Sequence, residues 1–227
     1  MNDLLEFVDG LGISLPAEWV SNIEAYYELM MERNQICNLT RITDYKEYLF
    51  KHIADSLLVY KAFPELTDDM YRLLDLGCGA GVPGIPLALT FPNLLCTEVD
   101  ARRKKVEAVH FFIEELELEN AEAVHANGFE LSNTEEYNEQ IDIVIARAVG
   151  HTAKIVQQTR RFLVPGSGII IACKTPQQLE DEKDELYDEI RKRQIKLKAK
   201  ASEIYELPFD YGSRQFWILT QDGKPKR

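Results

Sequence analysis

Cysteine is scarce in this sequence of 227 residues, and its four copies lie far apart, at Cys37, Cys78, Cys96 and Cys173. They form no CxxC pair, so we expect no metal site and reduced, cytoplasmic thiols. Long hydrophobic runs are also missing, since the apolar stretches 87–91 and 168–173 are too short to cross a bilayer. The acidic N-terminus has neither the basic start nor the apolar core of a signal peptide. We therefore expect a cytoplasmic protein with no membrane association.

Positive charge is in short supply as well. The 26 lysines and arginines are outnumbered by 38 aspartates and glutamates, which gives a net charge of −12 at pH 7. This balance argues against a general nucleic-acid binder, because phosphate contacts need Lys and Arg. The charge is uneven, however, since residues 114–139 are strongly acidic whereas 102–105 and 191–200 are basic. Two interpretations stay open: a narrow basic face on an acidic body, or ordinary solvated helix faces.

What the sequence does contain is an alternation of strand-like and helix-like segments beyond residue 72. Apolar runs that suit buried strands occupy residues 72–76, 94–99, 121–125, 141–146 and 168–173. Helical segments are predicted between them, at residues 83–91, 101–118 and 152–163. Strands separated by helices form right-handed βαβ units, so we predict an α/β fold with a mostly parallel sheet covered on both faces.

The N-terminal part of the chain is predicted to be all-helical. Apolar residues recur at helical spacing within residues 17–31, and a second helix is predicted over residues 45–62. We expect residues 1–66 to form a helical extension packed on a core domain of residues 67–221.

The C-terminal part is predicted to close the sheet. A long charged helix over residues 177–198 is followed by strand candidates 202–207 and 214–220, which a short turn joins into an antiparallel hairpin. The sheet is therefore expected to have seven strands. Residues 222–227 are predicted to be a disordered tail.

The most informative segment is residues 73–88, LLDLGCGAGVPGIPLA. Its apolar run ends in Asp75, and glycines follow at Gly77, Gly79 and Gly81. Glycines between a strand and a helix leave the backbone bare for a ligand, and the start of the helix offers unpaired N–H groups. Asp75 is expected to place its carboxylate beside that ligand.

This loop is ambiguous when it is read alone. Gly79, Gly81 and Gly84 also satisfy GxGxxG, the dinucleotide-binding fingerprint. In either class an acidic residue at the end of the second strand, here Asp100, binds the ribose. The spacing DxGxGxG, the two prolines that open the next helix and the C-terminal hairpin favour S-adenosylmethionine. We therefore predict a Rossmann-like class I methyltransferase fold.

Two further segments are expected to face the ligands. The loop after the third strand usually cups the adenine in this class, so we expect Asn127 to hydrogen-bond to the base. Phe129 either stacks on the base or belongs to the core. The fourth strand ends at Arg147, where this fold places groups that face the substrate.

Beyond the fold, residues 12–220 resemble the bacterial small-subunit (16S) ribosomal RNA guanine-N7 methyltransferases of the RsmG/GidB type. The marks of the resemblance are NQICNLTR at 34–41, HIADSL at 52–57, DLGCGAGVPGIPLA at 75–88, ARAV at 146–149 and Lys174. The resemblance implies transfer of a methyl group from S-adenosylmethionine to guanine N7, with small-subunit ribosomal RNA or the small ribosomal subunit as the partner. We expect the protein to be a monomer.

The resemblance also implies roles for individual residues. Contacts with S-adenosylmethionine are implied for Gly77, Val82, Gly128, Phe129 and Arg147, with Asp100 on the ribose. Residues implied to line or support the RNA-facing side of the cleft are Asn38, Arg41, His52, Asp55, Lys174 and Arg214. An alternative for His52 and Asp55 is that they only tie the helical extension to the core.

The sequence departs from the family pattern at Asn127-Gly128-Phe129, where Arg-Ala-Glu or similar is usual, at Thr175 in place of glycine, and at Thr220-Gln221 in place of a basic residue. Two alternatives therefore stay open. One is a divergent methyltransferase that acts on a small molecule or a protein, and the other is a cofactor-binding module that has lost transfer activity.

Guanine N7 carries an in-plane lone pair and no proton, so its methylation needs no general base. No His/Asp dyad or reactive cysteine is evident in the sequence, which is consistent with this chemistry. Catalysis would come from holding N7 in line with the methyl group. Arg147 is predicted to be the catalytic residue, close to both the methyl donor and the guanine.

Overall fold

The computed structural model describes residues 1–67 and 69–221. The α-helices of this part are α1 (Asn2–Leu11), α2 (Trp19–Cys37), α3 (Tyr45–Tyr48), α4 (Asp55–Leu57), α5 (Val59–Ala62), α6 (Gly84–Thr90), α7 (Arg103–Glu115), α8 (Gly128–Leu131), α9 (Thr152–Thr159) and α10 (Pro176–Lys192). The strands are β1 (Tyr71–Leu76), β2 (Leu94–Asp100), β3 (Ala121–His125), β4 (Ile143–Arg147), β5 (Ile169–Lys174), β6 (Leu197–Ala201), β7 (Tyr205–Glu206) and β8 (Ser213–Gln221). The predicted tail, 222–227, lies outside the described residues.

The strands form one mostly parallel sheet in the order β3-β2-β1-β4-β5-β8-β6. Strands β1 to β5 pair in parallel, while β8 is antiparallel to both β5 and β6. Every residue of β5 is buried, as expected for a strand covered on both faces. The strand order reverses between β1 and β4, and ligands bind at such switch points, beyond the carboxyl ends of the strands. The predicted α/β fold is confirmed.

The C-terminal hairpin differs from the prediction. The charged helix α10 ends at Lys192, and Gln194 has a positive φ of 51°, which takes the chain out of the helix. Residues Leu197–Ala201, predicted in part as helix, form the main antiparallel partner of β8. The predicted strand 202–207 contributes only Tyr205–Glu206, which pairs with β8 as an additional strand. The sheet therefore has 8 strands instead of seven.

The N-terminal helices also differ in detail. Helix α1, which was not predicted as a separate helix, buries Leu4, Val8 and Leu11. The single helix predicted over residues 45–62 is divided by a π-helical segment, Leu49–Ala54, and by the break between α4 and α5. This wider turn fully buries several consecutive side chains against the rest of the protein.

The N-terminal helices share a hydrophobic core with one face of the sheet. Leu4, Ile23 and Phe50 belong to the same buried cluster as Ile85 and Phe112, which lie on α6 and α7. The division at residue 66 stays a prediction. Among residues 1–67 and 69–221, no helix combines the length and the apolar character that a membrane span requires.

Candidate functional site

A cavity of about 220 Å³ lies at the carboxyl ends of β1 to β4, and we call it the smaller cavity. Its lining consists of Leu76, Gly77, Val99, Asp100, Ala101, Arg102, Ala126, Asn127, Gly128, Ala148, Val149 and Gln158. Two of the glycines leave no room for a side chain. A Cβ on Gly77 would lie 2.8 Å from Val149 Cγ2, and one on Gly128 would lie 2.6 Å from Leu76 Cδ1. Glycine at these positions therefore keeps the cavity open.

The glycine loop folds back onto the end of β2. The N–H groups of Gly77 and Cys78 both donate to the carbonyl of Val99, and Gly79 N donates to Asp100 Oδ2 at 3.2 Å. The N–H groups of the loop are therefore used within the protein at these positions. At the start of α6, where the sequence predicts unpaired N–H groups, Gly84 N donates to Asp75 Oδ2. Asp100 is buried, lines the smaller cavity and also accepts from Arg102 N at 2.8 Å. Its other lone pairs accept from Arg102 Nε at 3.3 Å and Arg102 Nη2 at 3.4 Å. Because the Arg102 side chain is 69% exposed, it can turn into solvent and free Asp100 to accept ribose hydroxyls.

Asp75 does not reach this cavity. Its Oδ2 accepts from Gly84 N at 2.9 Å at the start of α6, and its side chain is buried beside Glu98. Burial raises the pKa of Asp75 to about 6, although the hydrogen bond from Gly84 lowers it. The pKa of the Glu98 carboxyl is raised well above its usual value by burial and by Asp75. Asp75 thus holds the start of α6 and does not line the smaller cavity, and a contact between Asp75 and the ligand stays a prediction.

Three other residues predicted to bind the cofactor also shape the loop without lining the smaller cavity: Gly79, Gly81 and Val82. Gly81 has a φ of +81°, and a Cβ there would lie 2.7 Å from Ile85 Cγ1. Val82 is buried and its N–H donates to Cys78 O at 3.1 Å. Their contribution to the site is therefore the path of the backbone between β1 and α6.

The loop after β3 lines two cavities. Asn127 Oδ1 accepts from Phe129 N at 2.9 Å and caps α8, which leaves its amide nitrogen and the second lone pair of Oδ1 for a base. Asn127 lies in the lining of both the smaller cavity and a neighbouring one of about 390 Å³, which Phe129 also lines. Phe129 is 56% exposed, which rules out the core alternative. Its stacking on a base stays a prediction.

A larger cavity, of about 710 Å³, adjoins the smaller one, and we call it the larger cavity. Its polar lining includes Lys51, His52, Asp55, Arg147, Lys174 and Arg214. Ala148 lines both cavities, so the two spaces meet at the residue that follows β4. This arrangement suits a reaction in which a group passes from a molecule in one space to a molecule in the other.

Two arginines of the larger cavity share one carboxylate. Arg147 Nη1 donates to Asp55 Oδ2 at 3.0 Å, and Arg214 Nε donates to Asp55 Oδ1 at 2.7 Å. The side chain of Asp55 is 6% exposed, whereas those of Arg147 and Arg214 are 21% and 19% exposed. The trio carries one net positive charge, and both guanidiniums reach the cavity surface. Asp55 therefore ties the N-terminal helices to the sheet and also positions two cations at the site.

His52 completes this cluster as an uncharged ring. Burial and the nearby Arg147 guanidinium lower the pKa of His52 to about 3. Its Nδ1 lies 3.2 Å from Arg147 Nη2 and its Nε2 lies 3.0 Å from Thr40 Oγ1. Nδ1 also lies 3.2 Å from the carbonyl oxygen of Lys51, so it either accepts from the guanidinium or donates to that carbonyl. Both ring nitrogens are engaged, which makes His52 a structural link and not a general base.

Lys174, Asn38 and Arg41 are placed differently from the expectation. Lys174 lines the larger cavity but is 5% exposed, and it is bonded to Glu182 at 2.8 Å and to the carbonyl of Gly150. Asn38 and Arg41 are both exposed and lie outside the lining of the larger cavity. Asn38 ends α2 with a φ of 48°, and its carbonyl accepts from a lysine of α7. The structure therefore brings together His52, Asp55, Lys174 and Arg214 only.

Several residues of the two cavities were not predicted from the sequence. Ala148, Val149 and Gln158 line the smaller cavity, and Lys51 and Glu182 line the larger one. Nothing in the local sequence marks Gln158 or Glu182, because each lies within a helix whose pattern indicates only solvated and buried faces. The ARAV motif is the one signal that included Ala148 and Val149.

The residues of the smaller cavity fit a nucleoside. Asp100 presents a carboxylate for a ribose diol at the end of β2, and Gly77 and Gly128 keep the space beside it free of side chains. The strand order, this cavity and the larger cavity beside it define a Rossmann-like methyltransferase that uses S-adenosylmethionine. The model of the family "GidB: rRNA small subunit methyltransferase G" matches residues 20–205. The chain belongs to this family.

Curated relatives agree with this assignment. A protein named ribosomal RNA small subunit methyltransferase G from Lachnoclostridium phytofermentans is 35% identical, over 82% of this chain and 77% of the relative. One of the same name from Lysinibacillus sphaericus is 32% identical, over 98% of this chain and 92% of the relative.

Solved structures show the same fold at low sequence identity. MtNAS in complex with MTA and tNA superposes with a TM-score of 0.57 and 13% identity, over 91% of this chain and 78% of that one. Precorrin-6y C5,15-methyltransferase from Geobacter metallireducens gives a TM-score of 0.50 and 13% identity, over 73% of this chain and 88% of that one.

Proposed function

We propose that this protein transfers a methyl group from S-adenosylmethionine to N7 of a guanine in small-subunit ribosomal RNA, acting as a monomer in the cytoplasm. The observation that carries this proposal is the meeting of the two cavities at Ala148, next to Arg147. The smaller cavity fits the nucleoside of the donor. The larger one has the size for a nucleotide, and its lining carries four cationic side chains against three carboxylates. The relatives named above are ribosomal RNA methyltransferases.

The main role of the protein in this reaction is to position the donor and the acceptor. When bound, S-adenosylmethionine supplies a sulfonium methyl carbon, to which the N7 lone pair bonds as the carbon–sulfur bond breaks and its electrons stay on sulfur. No proton leaves N7, so the neutral and fully engaged His52 is consistent with this reaction. Holding two reactants in line can supply roughly 7–11 kcal/mol of rate enhancement.

The residues around the two cavities take the following roles in this proposal. Asp100 binds the ribose, and Asn127 and Phe129 face the adenine. Arg147 lines the larger cavity and not the smaller one, and it is proposed to act on the acceptor beside Ala148, where the two cavities meet. Arg214 uses Nε and Nη1 within the described chain, which leaves Nη2 for guanine O6 or a phosphate.

The supporting residues of the proposal act through the backbone or through other side chains. Asp75, Gly79, Gly81 and Val82 hold the glycine loop in shape for the donor. Asp55 holds the two arginines. The target base must be accessible, so we expect an unpaired nucleotide in a loop of the RNA.

The test is methyl transfer from labelled S-adenosylmethionine to small ribosomal subunits taken from cells that lack this protein, with the modified base mapped. We expect label at N7 of a single guanine. If the protein binds the donor but no label appears on the RNA, the assignment of RNA as the acceptor would be wrong, and a small-molecule or protein substrate would be favoured. Failure to bind the donor would favour an inactive module.

Two variants of Arg147 refine this test. Arg147→Ala is expected to reduce transfer strongly, whereas Arg147→Lys keeps the positive charge and should retain part of the activity. Near-normal methylation by Arg147→Ala, with the donor bound as in the unaltered protein, would remove Arg147 from the mechanism.

A further inference from the structure

The two cavities meet along the loop between β4 and α9, residues 148–151. Ala148 lines both cavities, Val149 lines the smaller one, and Gly150 and His151 line the larger one. Ala148 has a φ of 57° and Gly150 one of 102°. A left-handed conformation at alanine is unfavourable and persists only where surrounding contacts impose it. The loop therefore depends on support from outside itself.

That support comes from one carboxylate on α10. Glu182 Oε2 accepts from the backbone N–H of Thr152 at 2.8 Å and from its hydroxyl at 2.7 Å. Glu182 Oε1 accepts from Lys174 Nζ at 2.8 Å, and Lys174 also donates to the carbonyl of Gly150. A single side chain thus joins the start of α9, the end of β5 and the loop between the cavities.

A second, weaker link reaches the same loop from the same helix. His151 Nδ1 lies 2.5 Å from Glu185 Oε2, and both side chains are more than half exposed. Exposed pairs of this kind contribute little. The buried contacts of Glu182 are therefore the ones that fix the loop.

The contacts of Glu182 with three donors favour its ionised form. Burial alone would raise the pKa of Glu182, but hydrogen bonds from Lys174 and Thr152 hold it below its usual value. The side chains of Glu182 and Lys174 are 7% and 5% exposed, so both charges are held almost out of water. Well-packed apolar residues often stabilise a core as well as a buried ion pair does. A buried pair at this place calls for a role beyond stability.

We propose that Glu182 is a positioning residue for methyl transfer. Through Thr152 and Lys174 it fixes the loop 148–151, and thereby the distance between the donor in the smaller cavity and the acceptor in the larger one. Lys174 then serves mainly as the partner of Glu182 and not as a contact for RNA phosphate. This inference rests on the proposed function for its kinetic consequence, but the state of the loop is measurable without any acceptor.

The experiment compares Glu182→Gln with Glu180→Gln, a substitution at an exposed carboxylate on the same helix that pairs with Lys183. Glutamine keeps an oxygen for Thr152 but loses the ion pair with Lys174. All measurements are made well below the unfolding midpoint of each variant, so that a loss of global stability alone leaves kcat and the donor Kd unchanged. The exchange of residues 148–152 is compared with that of the buried β5 amides, which report a loss of global stability.

Three readouts are expected to change in Glu182→Gln and to stay unchanged in Glu180→Gln. The kcat at saturating RNA should fall at least tenfold, since a displacement of about 1 Å can cost about a hundredfold. The Kd for S-adenosylmethionine should rise at least threefold, and the amides of residues 148–152 should exchange hydrogen at least tenfold faster. A folded Glu182→Gln protein with all three readouts within twofold of the unaltered protein would overturn the proposal.

A second pair of variants covers the case in which Glu182→Gln does not fold. Thr152→Val removes the hydroxyl donor to Glu182, whereas Thr152→Ser retains it. We expect the valine variant to show the same changes to a smaller extent and the serine variant to restore the original values within twofold. Valine and serine variants that behave alike would overturn the proposal.

A failure of the proposed function can be told apart from a failure of this inference. If the unaltered protein methylates no ribosomal RNA, the donor Kd and the hydrogen exchange of residues 148–152 still report on the loop. Changes in both would support the positioning of the loop by Glu182. Their absence would overturn it whatever the acceptor is.

Discussion

Arg147 Nη1 lies 3.0 Å from Asp55 Oδ2, a contact between residues that are 92 positions apart in the sequence. Arg147 ends β4, whereas Asp55 begins α4 in the N-terminal extension. The same carboxylate accepts from Arg214 of β8. Three separate parts of the chain therefore meet at the larger cavity, and the N-terminal helices form part of the site itself.

The first prediction concerns this carboxylate. In Asp55→Asn the guanidiniums of Arg147 and Arg214 would lose their shared countercharge. Removing one partner from a buried ion pair costs about 3 kcal/mol or more, and we expect a fall of about that size in the free energy of unfolding, measured with urea. We also expect kcat/KM for methyl transfer to fall more than tenfold.

The matched control for Asp55→Asn is Asp3→Asn. Asp3 forms an exposed ion pair with Lys46 at 3.7 Å, and such pairs contribute less than about 1 kcal/mol. Equal stabilities of the two variants would show that Asp55 is not the buried countercharge described here.

The second prediction concerns the size of the smaller cavity. In Gly128→Ala the new Cβ would lie 2.6 Å from Leu76 Cδ1, and Leu76 itself lines the cavity. Because Leu76 must move, the space for the donor changes shape, and we expect calorimetry to show a Kd for S-adenosylmethionine raised by about tenfold, or 1.4 kcal/mol.

Gly10→Ala serves as the control for this change. It lies in α1, where a Cβ would meet nothing within 4 Å, and it should leave the Kd unchanged while it stabilises the helix by about 0.5–1 kcal/mol. A Kd for S-adenosylmethionine that is unchanged in Gly128→Ala would show that the donor does not bind in the smaller cavity.

The third prediction concerns histidine protonation. The pKa of His52 is lowered to about 3, chiefly by burial and then by Arg147, whereas the hydrogen bond with Glu185 raises the pKa of His151. In an NMR titration the chemical shift of the His52 ring should keep its neutral value down to pH 4. The His151 ring should titrate with a midpoint above pH 6.5.

The same pKa value fixes the sign of a pH effect on stability. Between pH 3 and 6.5 the unfolded chain binds a proton at His52 that the folded protein excludes. The contribution of His52 is therefore complete above pH 6.5 and is lost as the pH falls toward 3. A His52 signal that titrates near pH 6.5 in the folded protein would contradict both statements.

The fourth prediction concerns the carboxyl pair below the glycine loop. Both oxygens of Glu98 are buried without a hydrogen-bond partner among the described residues, and burial and Asp75 raise its pKa. The folded protein holds this proton more tightly than the unfolded chain, so Glu98 destabilises the fold increasingly as the pH rises above about 4.5.

We therefore expect Glu98→Gln to be more stable than the unaltered protein at pH 8. The difference should disappear at pH 4. Urea unfolding at both pH values measures it, with the exposed Glu107→Gln as control. A Glu98→Gln variant that is less stable than the unaltered protein at pH 8 would contradict the statement that Glu98 destabilises the fold at high pH.

The fifth prediction separates two cations of the larger cavity by their response to salt. If Arg214 contacts a phosphate, Arg214→Ala should lower the slope of log K for RNA binding against log salt concentration by about 1. Lys174→Met should leave the slope unchanged, because Lys174 is committed to Glu182 and Gly150. An unchanged slope in Arg214→Ala would exclude the phosphate contact.

The sequence alone was sufficient for the glycine loop, the parallel strands and the family. Buried strands such as β5 are apolar up to their last residue, and the spacing of Gly77, Gly79 and Gly81 after Asp75 is a local property of the chain. Local patterns failed at the C-terminus, where Leu197–Ala201 became a strand because β8 offers it a partner. Pairing of that kind depends on residues distant in sequence.

The site shows the same division. The sequence by itself determined which residue types the chain brings to the carboxyl edge of the sheet, including Asp100, Gly128 and Arg147. Only the tertiary structure decided that Asp75 turns toward Gly84, that Asp55 is shared by two arginines, and that Glu182 supports the loop between the cavities. The physical reason is that a buried charge or polar group must find a partner in space, and the partner's position along the chain is set by the packing of helices and strands, which no local pattern records.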